Sequence, residues 1–301
     1  MVRAADRAAA IGASALQVFS DNPTSWRRRP TLPPELPAFR DRLAAHDLAP
    51  LAIHAPYLVN LASPDADVHR RSVELVVNEL VVASAYGARF FNVHAGSHRG
   101  AGPVAGVNRL AAGIRQVFDQ LDGRADDTVL VLENSAGGGF GIGATVEELG
   151  GIAAALEAAG VPRARLGFCL DSAHAWGAGY RIDTAGGVDA LVVELDAAVG
   201  LDRLLMVHLN DSRSEPGSRA DRHEHIGAGR IGAAGLGRLL LHPGLGHVAY
   251  YLETPGMEAG YDAINLARVL DIAAGRPLGE LPPEAFEPRA APRRGAPEAR
   301  A

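Results

Sequence analysis

Short, mostly apolar runs alternate with amphipathic stretches along almost the whole chain. Runs at Leu16–Phe19, Leu51–Ile53, Arg89–Val93, Thr128–Leu132, Leu166–Leu170, Arg203–Val207 and Val248–Leu252 have strand length and little polar alternation. Strands buried on both faces read this way. Between them, apolar residues recur at helical spacing, as with Val73, Val76, Val77 and Leu80. The pattern predicts helices over Met1–Ile11, Glu35–His46, Asp67–Tyr86, Gly106–Leu121, Thr145–Ala159, Gly187–Val199, Ala233–Leu241 and Glu258–Ala274. A strand–helix unit repeating every roughly 40 residues predicts a parallel α/β barrel of the TIM type, with a doubly wound sheet as the rival. No glycine-rich nucleotide fingerprint follows an early strand, which counts against the rival.

Composition then sets bounds. The 301 residues are 48% apolar, enough for one large domain. Residues 1–275 are assigned to the barrel. From 276 to 301 the chain is rich in Pro, Ala, Gly and Arg, cannot build a core, and is expected to be a disordered tail. Net charge is −6, so no global attraction to nucleic acid is evident, although a local basic patch would act through its own field. The single Cys169 excludes an internal disulfide and fits a reducing, cytoplasmic setting. No apolar run approaches the roughly 18 residues of a membrane span, and no signal-peptide core opens the chain.

The polar chemistry falls at one phase of the pattern. Six successive strands end in a metal-competent residue: His54, His94, Glu133, Asp171, His208 and Glu253. In a β/α barrel these ends share one rim, where active sites sit. His174 follows Asp171 by three residues, so one helical turn could aim both at one cavity. Asp221 and His223 stand two apart in the polar stretch VHLNDSRSEPGSRADRHEHIGAGRIG, which is long for a connection and therefore a functional candidate. Stray histidines in a solvated loop would explain that stretch alone, but not the recurrence on six strands. A mononuclear site takes three or four protein ligands, so nine candidates point to two or three metals. Closely spaced metals suit phosphoester hydrolysis.

The segments IHAPYLVNL, NVHAGSHRG, VLENSAGG, GFCLDSAHAWGAGY, VHLNDSR, GSRADRHEHIG and YLET resemble, in order and spacing, the motifs of the endonuclease IV family. The likeness extends over roughly Ala15 to Ala274. These are zinc-dependent apurinic/apyrimidinic endonucleases of base-excision repair on double-stranded DNA. The resemblance implies three zinc ions, with manganese an option at one site. It implies that His54, His94 and Glu133 hold one zinc, with Glu133 bridging to a second zinc on Asp171, His208 and Glu253. His174, Asp221 and His223 would hold the third. Glu133 would be the central catalytic ligand, and the cut would fall 5′ to an abasic site, leaving a 3′-hydroxyl and a 5′-deoxyribose phosphate. A monomer is expected.

Tyr57, three residues after His54, occupies the position of a family tyrosine that meets DNA where the abasic nucleotide is flipped out. A rim aromatic packed on the barrel is the plainer explanation. The family often carries an arginine two residues before the tryptophan of its first DNA loop; here that position is Thr24, before Trp26, a departure from the family pattern at one wedge contact. Arg27, Arg28 and Arg29 are candidates for phosphate contacts, weighed equally against an ordinary solvated charge run. His98 and His225 read as supporting or surface imidazoles, Asn134 and Asn210 as orienting groups, and Cys169 as a buried apolar residue.

Seven strands are legible where a complete barrel has eight. The family normally begins with a strand before its first helix, and this sequence opens inside that helix. The strands at Leu16 and Val248 are therefore expected to keep unpaired edges. Two rival readings remain at this point: a mononuclear sugar isomerase or epimerase on a similar barrel, and a non-catalytic metal- or DNA-binding relative. The first has no use for His174, Asp221 and His223 together.

Overall fold

Seven parallel strands form a nearly closed barrel in the computed structural model, which describes residues 1–29 and 31–286. They are β1 (Leu16–Val18), β2 (Leu51–His54), β3 (Phe90–His94), β4 (Val129–Glu133), β5 (Leu166–Asp171), β6 (Leu204–His208) and β9 (Ala249–Tyr251). The sheet runs in that order, with β1 and β9 at its two edges. Helices precede, separate and follow these strands: α1 (Val2–Ala10) before β1, then α2 (Leu36–Ala45), α3 (Ala66–Tyr86), α4 (Pro103–Leu121), α5 (Val146–Ala158), α6 (Ser172–Ala178), α7 (Ala185–Val199) and α8 (Gly232–Leu240) between strands, and α9 (Tyr261–Ala273) after the last. A two-stranded antiparallel hairpin, β7 (Asp211–Ser212) with β8 (His223–Glu224), stands after β6.

Alternation along the strands separates two cores. Ala52, Phe90, Val129, Val131, Cys169, Met206 and Tyr251 pack inside the barrel. Ile53, Phe91, Leu130, Leu132, Phe168, Leu170 and Val207 face the helices in the larger outer core. The side-chain period of a strand is two. The inward phase therefore carries Ala52 on to His54, Val131 on to Glu133, Cys169 on to Asp171 and Met206 on to His208. Register levels these ends: His94 pairs with Glu133, and Asp171 with His208. Tyr251, opposite His208, begins the step to Glu253.

Two local features escaped the sequence pattern. Helix α6 has only seven residues, too few for a period to show. The β7–β8 hairpin has two residues per strand. It is held from below by Asp211, whose buried carboxylate accepts the backbone N–H groups of Ser212, Gly229, Ile231 and Gly232 at 2.8–3.3 Å. The stretch 276–286, placed by composition in a disordered tail, is docked in part. The Gly279 carbonyl accepts from Arg268, the Ala285 carbonyl lies 3.1 Å from His225 Nε2, and Phe286 sits edge-on to that ring. Buried partners supplied by other elements order it where its own composition could not. Residues 287–301 lie outside the described residues.

Candidate metal centre

Local chain geometry delivers each side chain. Asp171 is the N-cap of α6, its Oδ1 accepting the His174 N–H at 2.7 Å. This is why the two stand three apart: the cap and its N3 residue face one another. The same carboxylate keeps Oδ2 free of the cap and receives the Asn210 amide there at 2.7 Å. Asn134 fixes the Asp171 backbone from the other side, accepting its N–H at 2.6 Å. Gly96 follows His94 at φ 93°, and a Cβ there would stand 2.5 Å from Asn60 Oδ1. Only glycine fits that approach, which lets Asn60 tie the loop after β2 to Ser97 after β3.

The nine strand-end and loop candidates come together in one cluster. His54 Nε2 lies 3.6 Å and His94 Nδ1 4.0 Å from the Glu133 carboxylate. His208 Nδ1 lies 3.4 Å from Glu133 and 3.3 Å from Glu253. His174 Nδ1 stands 3.2 Å from Glu133, and its Nε2 3.2 Å from Asp221. His223 Nε2 is 3.1 Å from Asp221 and 3.5 Å from Asp171. The donor atoms fall into sets small enough for single ions. These are His54–His94–Glu133, Glu133–Asp171–His208–Glu253, Asp171–His174–His223, with Asp221 touching both histidines of that set, and a further set Glu133–Cys169–His208 that shares two members with the second.

Several imidazoles are oriented from behind by oxygen acceptors, as metal-ligating histidines are. His54 Nδ1 lies 2.7 Å from the Ala55 carbonyl, and His223 Nδ1 2.8 Å from the Glu253 carbonyl. Asn92 donates to Glu133 Oε2 at 2.5 Å. The Glu253 N–H donates to Asn210 Oδ1 at 2.8 Å. Asn92 was missed in the sequence, although a polar residue on the inward phase of β3, two before His94, was the available signal.

Burial acts against every charge in the cluster, and the neighbours outweigh it. Burial would lower His174 and His208, yet Asp171, Asp221 and Glu133 hold the first imidazole, and Cys169, Glu253 and Glu133 the second, well above the usual histidine range. His223 is pushed up to about 9 by Asp171, Asp221 and Glu253, again against burial. Glu133 stays well below the usual carboxylate range despite burial, because His94, His208 and His174 face it. Glu253 is held down to about 2, chiefly by His208. His94 goes the other way: burial lowers it. A divalent cation competes with the imidazole protons for the same lone pairs.

The residues fit such a cation. Glu133 Oε1, His208 Nδ1 and His223 Nε2 are buried, face the cluster and make no hydrogen bond. Orphaned polar atoms of this kind cost about 1–3 kcal/mol each, so a native protein normally satisfies them. Nitrogen and oxygen donors in sets of three and four suit zinc.

The remaining sequence candidates divide. Tyr57 is 64% exposed beside the cluster, its ring 6.2 Å from that of His54 and edge-on to Phe19. Trp26 is partly buried against the core, under the Arg71 guanidinium at 4.4 Å. Arg27 is exposed, and Arg29 lies 3.7 Å from Asp21 and 3.8 Å from Glu35. Arg28 is turned inward instead of outward: its Nε lies 2.6 Å from Glu79 of α3, whose side chain is 1% exposed. A buried carboxylate outcompetes solvent for that guanidinium, which is therefore not presented to a phosphate. His98 caps its own loop by accepting from Gly100 and Gly102, and His225 is buried against Asn265. Neither joins the cluster.

Comparison with known proteins agrees with this geometry. Residues 5–273 match the family described as xylose isomerase-like TIM barrel, the class that the barrel and its rim of histidines and carboxylates define. The chain is 41% identical to a probable endonuclease 4 of Methanoculleus marisnigri, over 90% of its own length and 94% of that protein's. A probable endonuclease 4 of Halothermothrix orenii is 36% identical over 89% and 95%. The crystal structure of endonuclease IV from Thermus thermophilus superposes with a TM-score of 0.78 at 37% identity, covering 91% of this chain and 94% of that one. The chain belongs to the endonuclease IV family and is a DNA-repair nuclease. A D-tagatose 3-epimerase-like protein also superposes, with a TM-score of 0.64, but at 17% identity that likeness is of fold alone. The sugar isomerase reading is not favoured.

Proposed function

We propose that this chain cuts double-stranded DNA on the 5′ side of abasic sites, leaving a 3′-hydroxyl and a 5′-deoxyribose phosphate, with three zinc ions per chain. The observation that carries the reading is the convergence of nine histidine and carboxylate side chains around the orphaned Glu133 Oε1 and His208 Nδ1. His54, His94 and Glu133 would hold one ion. Glu133, Asp171, His208 and Glu253 would hold the second, and His174, Asp221 and His223 the third. Bound zinc supplies Lewis acidity towards a phosphoryl oxygen and makes water a nucleophile near neutral pH.

The chain's own residues do the rest. Glu133 is shared between two donor sets, so it fixes their spacing. Asn92, Asn134 and Asn210 hold the carboxylates in place, which keeps the face preorganised rather than rearranging during reaction. Tyr57 stands exposed at the rim, where an unstacked nucleotide would arrive. Arg27 and Arg29 remain for phosphate contacts. A monomer is supported by a site built wholly from one chain. A cytoplasmic setting fits the buried, unpaired Cys169; among the described residues no helix is long and apolar enough to cross a membrane.

The test is incision of a duplex with one abasic site, without added magnesium, mapping both new ends. A single cut 5′ to the lesion, lost after a chelator and restored by zinc, is the expected result. Folded, zinc-loaded protein that leaves the duplex whole would sink the proposal and favour a binding protein without turnover. Tyr57→Ala should weaken binding of abasic duplex by roughly 5- to 100-fold, the scale of one lost base–aromatic contact. Its thermal stability should stay unchanged, because the side chain is mostly exposed. Equal binding by the variant would return Tyr57 to a packing role.

A further inference from the structure

On β1 the inward phase is filled not by a histidine or carboxylate but by Gln17. It pairs in register with Ala52, which lines the barrel interior below His54. The Gln17 amide reaches across the open seam of the sheet to Glu253, just past the edge strand β9, and to His208 at the end of the neighbouring β6. Its Nε2 donates to Glu253 Oε1 at 2.7 Å. Its Oε1 accepts from His208 Nε2 at 3.0 Å.

We infer that Gln17 is a positioning residue for the metal face, setting the tautomer of His208 and the rotamer of Glu253 with one amide. An acceptor at Nε2 keeps the His208 proton on that nitrogen and leaves the Nδ1 lone pair towards the cluster. A donor at Glu253 Oε1 leaves Oε2 as the free oxygen. Those two selected atoms stand 3.3 Å apart, and Nδ1 is 3.4 Å from the orphaned Glu133 Oε1. Without the amide, His208 loses its hydrogen bond at Nε2 and Glu253 loses its bond at Oε1. The inference rests on the metal-centre reading above. It adds that one donor set is held open by the opposite edge of the barrel.

Full-length protein tests this by zinc retention against a graded chelator. Wild type is compared with Gln17→Met, which keeps the volume and removes both hydrogen bonds. The expected result is zinc bound about 10- to 100-fold more weakly at one class of site, with the other ions retained. Excess zinc should restore kcat without changing KM for DNA. Tyr251→Phe is the control for seam closure alone, since it removes the Tyr251 hydroxyl bond to the Pro50 carbonyl across the same gap. It should leave zinc retention as in wild type. Equal retention by Gln17→Met and wild type overturns the inference. So does loss of all zinc at once with a fall in thermal stability matched by Tyr251→Phe, which would make Gln17 a seam bond only. If wild type itself retains no zinc, the metal-centre reading fails first, and Gln17 falls with it.

Discussion

Glu133→Gln is expected to reduce incision by about four orders of magnitude while the protein keeps its native circular dichroism. The magnitude follows from losing several kcal/mol of charge stabilisation at the reacting phosphate, at tenfold per roughly 1.4 kcal/mol. Glu133 is fully buried and stands within 4.0 Å of His54, His94, His174 and His208. Its carboxyl is held well below the usual range, so it is an anion at any working pH. Glutamine keeps the shape but offers a neutral oxygen and an N–H that none of those imidazole lone pairs can hold together with a cation. Zinc content should fall with activity in the same samples. Incision within tenfold of wild type would show that the shared carboxylate is not central.

Arg28→Ala should destabilise the protein by about 3–5 kcal/mol, the cost of leaving a buried charge without its partner. For a domain of this size that is a drop in melting temperature of roughly 10 °C. Glu79 has Ser20 and Arg28 as its partners, and burial already raises its carboxyl above the usual value. A carboxyl raised in the folded state binds more protons there than in the unfolded state, so its contribution to stability declines as pH rises. Removing Arg28 raises it further. The loss should therefore be smaller at pH 5 than at pH 8 in denaturant titrations. A variant of unchanged stability, with DNA binding weakened instead, would return Arg28 to the phosphate-binding role its sequence context suggests.

That arginine marks where reading the chain stops being enough. Apolar runs and their spacing predicted every strand of the barrel to within a residue or two, because burial on both faces leaves a strong compositional trace. Each strand-end member of the cluster was legible for the same reason, since the residue after an apolar run stands on the rim whatever its partners are. The sequence also implied unpaired edges at the first and last strands, and β1 and β9 are the two ends of the sheet. Contacts between distant segments were not legible. Nothing near Arg28 announces Glu79, and nothing near Gln17 announces His208 or Glu253. The docking of 276–286 was hidden too, because composition reports only what a segment buries of its own.

Asp211 has a consequence for how the third donor set is supplied. Its carboxylate gathers four backbone N–H groups from both sides of the hairpin, and α6 grips the intervening loop where the Trp176 indole donates to Ser214 and Gly217 donates to the Trp176 carbonyl. The segment bearing Asp221 and His223 is thus immobilised by contacts that involve no ligand atom. The entropy of arranging that loop is lost when the chain folds, not when an ion arrives. If an ion enters that donor set as proposed, its capture would be a local event of proton displacement, with little slow reorganisation of the backbone around it.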